Sequence, residues 1–72
     1  MTAPVPGIYR HYKGSLYEVL GTAQHSENEE PLVVYRALYG DYGLWVRPLE
    51  MFTETVTKEG HTQPRFALEK AF

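Results

Sequence analysis

Leu32–Tyr39 (LVVYRALY) is the stretch that decides the fold class, because β-branched and aromatic residues at this density favour a strand. Two glycines, an aspartate and a tyrosine follow at Gly40–Gly43, a composition typical of a hairpin turn. Leu44–Arg47 (LWVR) resumes the strand pattern, and Pro48 biases the preceding arginine towards extended geometry and ends the strand. The centre of the chain is therefore predicted to be an antiparallel β-hairpin.

The same sequence of apolar runs and turn residues continues on both sides of this hairpin. Further strands are predicted at Ile8–Tyr12, Leu16–Gln24, Phe52–Thr57 and Arg65–Leu68. Turns are predicted at Lys13–Ser15 and Lys58–His61, and a bulge or bend is predicted at Gly21. The remaining connections are an acidic loop at His25–Pro31 and one helical or 3₁₀ turn at Pro48–Met51. The sequence thus predicts an all-β fold of five to six short antiparallel strands, arranged as a small barrel or sandwich.

The length and composition predict one small domain. A chain of 72 residues without cysteine has no disulfides to stabilise it, so six Tyr, three Phe and one Trp are the obvious material for its core. We expect an extended N-terminal tail over residues 1–7, the β domain over 8–68 and a C-terminal tail over 69–72.

Targeting and membrane insertion are not expected. The N-terminus has no basic region followed by an apolar stretch of signal length, and no apolar run approaches the ~18 residues that span a bilayer. The sequence therefore predicts an intracellular protein. Its net charge of −2 and pI near 5.8 disfavour a general polyanion binder, so nucleic acid could be contacted only through a local basic patch.

Catalytic and metal sites have little support in the sequence. The histidines His11, His25 and His61 lie in three different predicted elements without the spacing of metal ligands, so neither a metal nor a cofactor is predicted. His25-Ser26-Glu27 contains the residue types of a catalytic triad, but sequence neighbours rarely face one another as a triad requires. A small hydrolase or accessory subunit using these three residues stays a remote alternative, and the chain is not expected to be an enzyme.

Aromatic and basic residues are interleaved in the predicted strands. Because side chains alternate between faces, Arg10 shares a face with Tyr12, and Trp45 shares one with Arg47. Such pairs suit stacking on a base, or gripping a carboxylate or phosphate beside an apolar platform. These four residues, with Tyr42 in the hairpin turn, are the candidate ligand-binding residues. The competing explanation, which carries more weight from sequence alone, is that the aromatics form the core and the arginines cover them.

The chain also resembles a known family over almost its whole length. The resemblance lies in Tyr9–Gly14 (YRHYKG), Leu16–Gly21 (LYEVLG), His25–Glu27 (HSE), Val33–Gly40 (VVYRALYG), Leu44–Phe52 (LWVRPLEMF) and Pro64–Phe66 (PRF). These motifs are similar to those of the bacterial family called domain of unknown function 1653. The resemblance implies an SH3-like small β-barrel in a bacterial, cytoplasmic protein. It implies no activity and no site residues, because none is defined for the family.

Two functions from different classes follow from these observations. The leading hypothesis is a non-enzymatic interaction module that binds a protein or peptide through the aromatic and arginine surface. The alternative is that the same surface binds RNA or single-stranded DNA by stacking and phosphate contacts, against the net negative charge. The chain is expected to be a monomer or a weak dimer, since a short barrel can leave an edge strand exposed.

Overall fold

The computed structural model describes residues 3–72 and shows seven strands and one helical turn. The strands are β1 Gly7–His11, β2 Leu16–Gln24, β3 Pro31–Ala37, β4 Leu44–Pro48, β5 Thr55–Lys58, β6 His61–Pro64 and β7 Phe66–Ala71, and the helical turn is α1 Leu49–Phe52. The all-β prediction is confirmed.

The strands form two antiparallel sheets. The larger has the order β4-β3-β2-β1-β7, and the smaller is the β5-β6 hairpin. β4 and β7 are thus the two edges of the larger sheet, which hydrogen bonds between strands do not close into a barrel. The SH3-like barrel stays a prediction.

Local sequence signals place several elements correctly. β2 has the predicted bounds, and the predicted bulge at Gly21 is confirmed, because the register passes from Val19 opposite Tyr35 to Gly21 opposite Val34. The helical turn begins one residue later than predicted, with Pro48 as the residue that precedes it. Pro48 suits this place because its fixed φ and missing N–H are tolerated where a helix starts.

The structure differs from the sequence-based prediction in four places. Phe52, predicted to start a strand, ends α1 instead, and β6, which begins at the last residue of the predicted Lys58–His61 turn, was not predicted. The predicted tail at 69–72 contributes to β7, which runs to Ala71 beside β1. Gly7, assigned to the N-terminal tail, begins β1, and a Cβ at this position would collide with the Lys70 carbonyl of β7. Met1 and Thr2 of the predicted tail lie outside the described residues.

The core lies on one face of the larger sheet and is mostly aromatic. Its buried members are Tyr9, Val19, Val33, Tyr35, Phe52 and Phe66. Phe66 stacks on Phe52 with 4.2 Å between ring centroids and an interplanar angle of 4°. It also contacts the rings of Tyr17 and Tyr35 at 5.5 and 5.9 Å. Phe66 therefore joins β7 to α1 and to the centre of the sheet.

Phe66→Ala is expected to cost about 3–5 kcal/mol of unfolding free energy, because it removes the ring that the other core aromatics contact. That loss is similar to the whole stability of so small a domain, so the variant should be largely unfolded at 25 °C. Phe66→Leu should retain the fold at lower stability. Urea denaturation followed by circular dichroism measures both, with Leu68→Ala as the control on the same strand, since Leu68 is 50% exposed. Equal losses for Phe66→Ala and Leu68→Ala would contradict this view of the core.

Candidate functional site

Trp45 and Arg47 lie together on the core-facing side of the sheet, at its β4 edge. Trp45 is opposite Tyr35 and Arg47 is opposite Val33, and directly paired residues of antiparallel strands point to the same face. The predicted common face of Trp45 and Arg47 is therefore confirmed. Because β4 is an edge strand, no further strand covers Trp45, which stays 60% exposed although it is on the core side.

The Arg47 guanidinium lies over an aromatic ring of the core. Its Cζ atom is 5.6 Å from the centroid of Phe66, a cation–π distance. Its Nε atom is buried and has no hydrogen-bond acceptor within residues 3–72. An arginine normally uses its donors to hold carboxylates or phosphates, so this group is able to bind an acceptor that the chain itself does not supply.

Further cationic side chains lie near Arg47. The ring of His11 meets Phe66 edge-on at 5.0 Å. Partial burial lowers the pKa of His11 below its ordinary value of 6.5, and the positive charges of Arg65, Arg47 and Lys13 lower it further. Arg65 forms a salt bridge with Glu54, whereas within residues 3–72 neither Arg47 nor Lys13 has a carboxylate at salt-bridge distance. We call His11, Lys13, Arg47 and Arg65 the basic cluster. At neutral pH the positive charge of the basic cluster exceeds the single negative charge of Glu54, the carboxylate paired with Arg65.

Two tyrosine hydroxyls lie beside the basic cluster. The hydroxyl oxygens of Tyr17 and Tyr39 are 2.9 Å apart, and the Tyr17 ring meets His11 at 6.3 Å. Burial, followed by the bond to Tyr39, raises the pKa of Tyr17 to about 12. The Tyr17 phenol is therefore neutral at physiological pH. It provides a polar group next to the cations without cancelling their charge.

The other three candidate residues do not join this surface. Arg10 pairs with Leu16 and Ala67 on the opposite face of the sheet, where its Nε donates to Glu69 at 2.7 Å. Tyr12 follows the end of β1, so its predicted strand-face partnership with Arg10 is wrong, and its ring packs on His11 at 4.5 Å instead. Tyr42 is exposed in the hairpin turn with a positive φ of 56°, and its carbonyl accepts a bond from Arg36.

The sequence alone does not indicate that His11 lies close to both Arg65 and Arg47. The three residues are far apart along the chain, and they converge because β7 returns to pair with β1 while Phe66 packs between them. On the other strand pair of β3, Arg36 lies opposite Glu18. However, Arg36 donates to the Tyr42 carbonyl at 2.8 Å rather than forming a salt bridge with Glu18.

The triad-type residues of the acidic loop make backbone interactions. His25 Nδ1 accepts a hydrogen bond from the Glu27 backbone N–H at 3.1 Å. Within residues 3–72, no group of three or more His, Asp or Glu side chains could hold a metal ion. In the same range, no helix is long and apolar enough to cross a membrane.

Comparison with known proteins identifies the family. A family model described as "Protein of unknown function (DUF1653)" matches residues 7–68. The chain belongs to the DUF1653 family. The crystal structure of a DUF1653 protein from Bordetella bronchiseptica is similar to it, with 43% identity, a TM-score of 0.84 and coverage of 93% of this chain and 88% of the other. A search of curated proteins finds no match.

In this DUF1653 domain, Trp45→Ala should lower the free energy of unfolding by less than about 1 kcal/mol, because most of the indole is exposed to solvent. Urea denaturation checks this value. Since Trp45 is the only tryptophan, its fluorescence should also be readily quenched by acrylamide in the folded protein. A loss of several kcal/mol together with a protected indole would make Trp45 part of the core.

The lowered pKa of His11 has a pH-dependent consequence for DUF1653 domain stability. The unfolded chain takes up a proton near pH 6.5 and the folded chain only at lower pH, so stability falls as pH drops through this window. Carbon-detected or proton NMR of the His11 ring should show titration below 6.5, and Arg47→Gln should raise the pKa of His11 by removing a nearby positive charge. Arg10→Gln, on the opposite face, is the control and should leave it unchanged. If Arg47→Gln and Arg10→Gln give the same His11 titration, Arg47 does not act on His11.

Proposed function

We propose that this DUF1653 domain is a non-enzymatic interaction module that binds a protein or peptide through Trp45 and Arg47. The observation that carries the proposal is Arg47, which lies over Phe66 and has no carboxylate at salt-bridge distance within residues 3–72. Its Nε is closed to solvent, so a ligand oxygen would bind to the terminal nitrogens of the guanidinium. The domain is thus ready to receive an acceptor from another molecule.

The charge around Arg47 favours an acidic group as that acceptor. Arg65 and Lys13 add positive charge close to His11, and the Tyr17 and Tyr39 hydroxyls add hydrogen-bonding groups. Next to these cations, the exposed Trp45 indole offers a large apolar surface. The partner proposed is therefore a segment that presents a carboxylate beside an aromatic or aliphatic side chain.

The connectivity supports an SH3-like arrangement for this module. β1 to β4 follow one another as an antiparallel meander, and after α1 and the β5-β6 hairpin the chain returns to place β7 beside β1. A small β domain of this kind can present aromatic side chains along a groove for peptide recognition. The domain would be presented in the cytoplasm of a bacterium.

Nucleic-acid binding is the second candidate, because the basic cluster provides the local patch that it needs. Phosphate groups would contact Arg47 and Lys13, and a base would stack on Trp45. The net charge of −2 opposes this function at long range. Phosphate-driven affinity falls steeply as salt rises from low to physiological concentration, whereas contact with an apolar peptide changes much less.

Selection from a random peptide library should enrich sequences with Asp, Glu or a free C-terminal carboxylate next to an aromatic or aliphatic residue. Arg47→Gln should weaken binding of the selected peptides by about tenfold to a hundredfold, because a charge-assisted hydrogen bond is lost. The peptide affinity of Arg47→Lys should lie between those of the unmodified chain and Arg47→Gln, since lysine keeps the positive charge but not the planar guanidinium. Titration calorimetry at two salt concentrations measures these affinities.

Arg10→Gln is the matched control for that series. It removes an arginine from the opposite face of the same sheet, so peptide affinity should not change. Unselective enrichment, or equal effects of Arg10→Gln and Arg47→Gln, would overturn the proposal. Binding of short RNA or DNA oligonucleotides that disappears at physiological salt and depends on Arg47 would establish the second candidate instead.

A further inference from the structure

β4 leaves an unusually apolar strand edge open to solvent. It pairs with β3 on one side only. Leu44, Trp45 and Val46 are consecutive, and their exposed fractions are 56, 60 and 57%. Natural edge strands are commonly protected by charges or bulges, because their free N–H and C=O groups can pair with another strand. The first three residues of β4 have neither form of protection.

The register shows which backbone groups of β4 face outwards. The Ala37 N–H donates to the Gly43 carbonyl at 3.0 Å, so residues 37 and 43 are a hydrogen-bonded pair. Hydrogen-bonded and non-hydrogen-bonded pairs alternate along antiparallel strands. Trp45 and Arg47 therefore direct their backbone groups towards β3, whereas Leu44 and Val46 direct theirs to the free edge. Pro48, which has no N–H to donate, also falls at an outward position.

We propose that the occupant of this edge is the β4 strand of a second copy of the chain, paired antiparallel with Val46 on the two-fold axis. In this register the two Val46 residues exchange both of their N–H···O=C bonds. Each Leu44 N–H also reaches the carbonyl of the partner's Pro48. Four backbone hydrogen bonds would form without removing any bond between β3 and β4.

The side chains are self-complementary in the same register. Trp45 lies opposite the partner's Arg47 in a non-hydrogen-bonded pair, the type in which side chains approach most closely. The indole would cover the guanidinium from the side away from Phe66 and add a second cation–π contact. Val46 meets Val46, and Leu44 meets Pro48, so no like charges are opposed.

The opposite edge of the sheet is less suited to such pairing. β7 carries Glu69 and Lys70, and Glu69 is already held by Arg10. Charges on an edge strand oppose the addition of a further strand. The contact along β4 is short because Pro48 ends it, so the dimer should form in a concentration-dependent way.

This inference rests on the proposed function in one respect, since it uses Trp45 and Arg47 as contact residues and names a second copy as their partner. The two ideas can fail separately. A monomer that binds acidic peptides through Arg47 would keep the proposed function and overturn the β4 dimer. A β4 dimer that binds no peptide would keep the dimer and overturn the proposed function.

The test is sedimentation velocity over a concentration series of the full chain and three variants. Val46 faces itself across the two-fold axis, so Val46→Lys and Val46→Glu should each oppose like charges and raise the dimer dissociation constant by about tenfold or more. An equimolar mixture of the two variants should regain association as a heterodimer. Leu68→Lys is the matched control on the other edge, with an exposed leucine of the same sheet replaced, and should dimerise as the unmodified chain does.

The comparison of Val46→Lys, Val46→Glu and their mixture also tests the register of the two β4 strands in the dimer. Circular dichroism of each variant should show that the fold is retained, because the Val46 side chain is mostly exposed. A monomeric unmodified chain at all concentrations would overturn the inference. Loss of the dimer in Leu68→Lys but not in Val46→Lys would move the interface to β7. Association in all variants, with no recovery specific to the mixture, would show that Val46 is not on the axis.

Discussion

The contact on which the rest of the structure depends is the stacking of Phe66 on Phe52. It holds the last strand against the helical turn α1, and it places the Phe66 ring where Tyr17 and Tyr35 meet it from the sheet. In a domain of 72 residues without disulfides, such aromatic contacts replace the larger core of a longer chain. The same ring is the floor of the candidate site, because Arg47 lies over it.

Phe66 thus contributes both to the packing of the core and to the surroundings of the Arg47 charge. Arg47 gains an aromatic surface over this ring, and His11, which meets the same ring edge-on, lies near the positive charges of Arg65, Arg47 and Lys13. The pKa of His11 is lowered by partial burial and by these neighbouring positive charges. Only Arg65 has its charge balanced by a salt bridge among the described members of the basic cluster. The remaining positive charge suits the binding of an acidic group, which would lower the repulsion between the cations.

The small size of the domain also explains its open edge. One helical turn and a two-stranded hairpin cannot cover both faces and both edges of a five-stranded sheet. Trp45 is therefore exposed although it points to the core side, and Leu44 and Val46 are exposed next to it. At the other edge, Glu69 and Lys70 make the strand unsuitable for pairing. The two edges of the sheet thus differ in chemistry, and the apolar one adjoins the basic cluster.

Residue types alone were enough to predict the all-β class, the bounds of β2, the bulge at Gly21, the helical turn after Pro48 and the common face of Trp45 and Arg47. These features depend on residue type and on the alternation of side chains along one strand, which are local properties. The pairing of β7 with β1, the place of Arg10 on the opposite face and the meeting of His11 and Arg47 at Phe66 are visible only in the folded chain. Contacts between residues distant in the chain depend on how strands pair and on which rings pack together, and no local pattern specifies either of them.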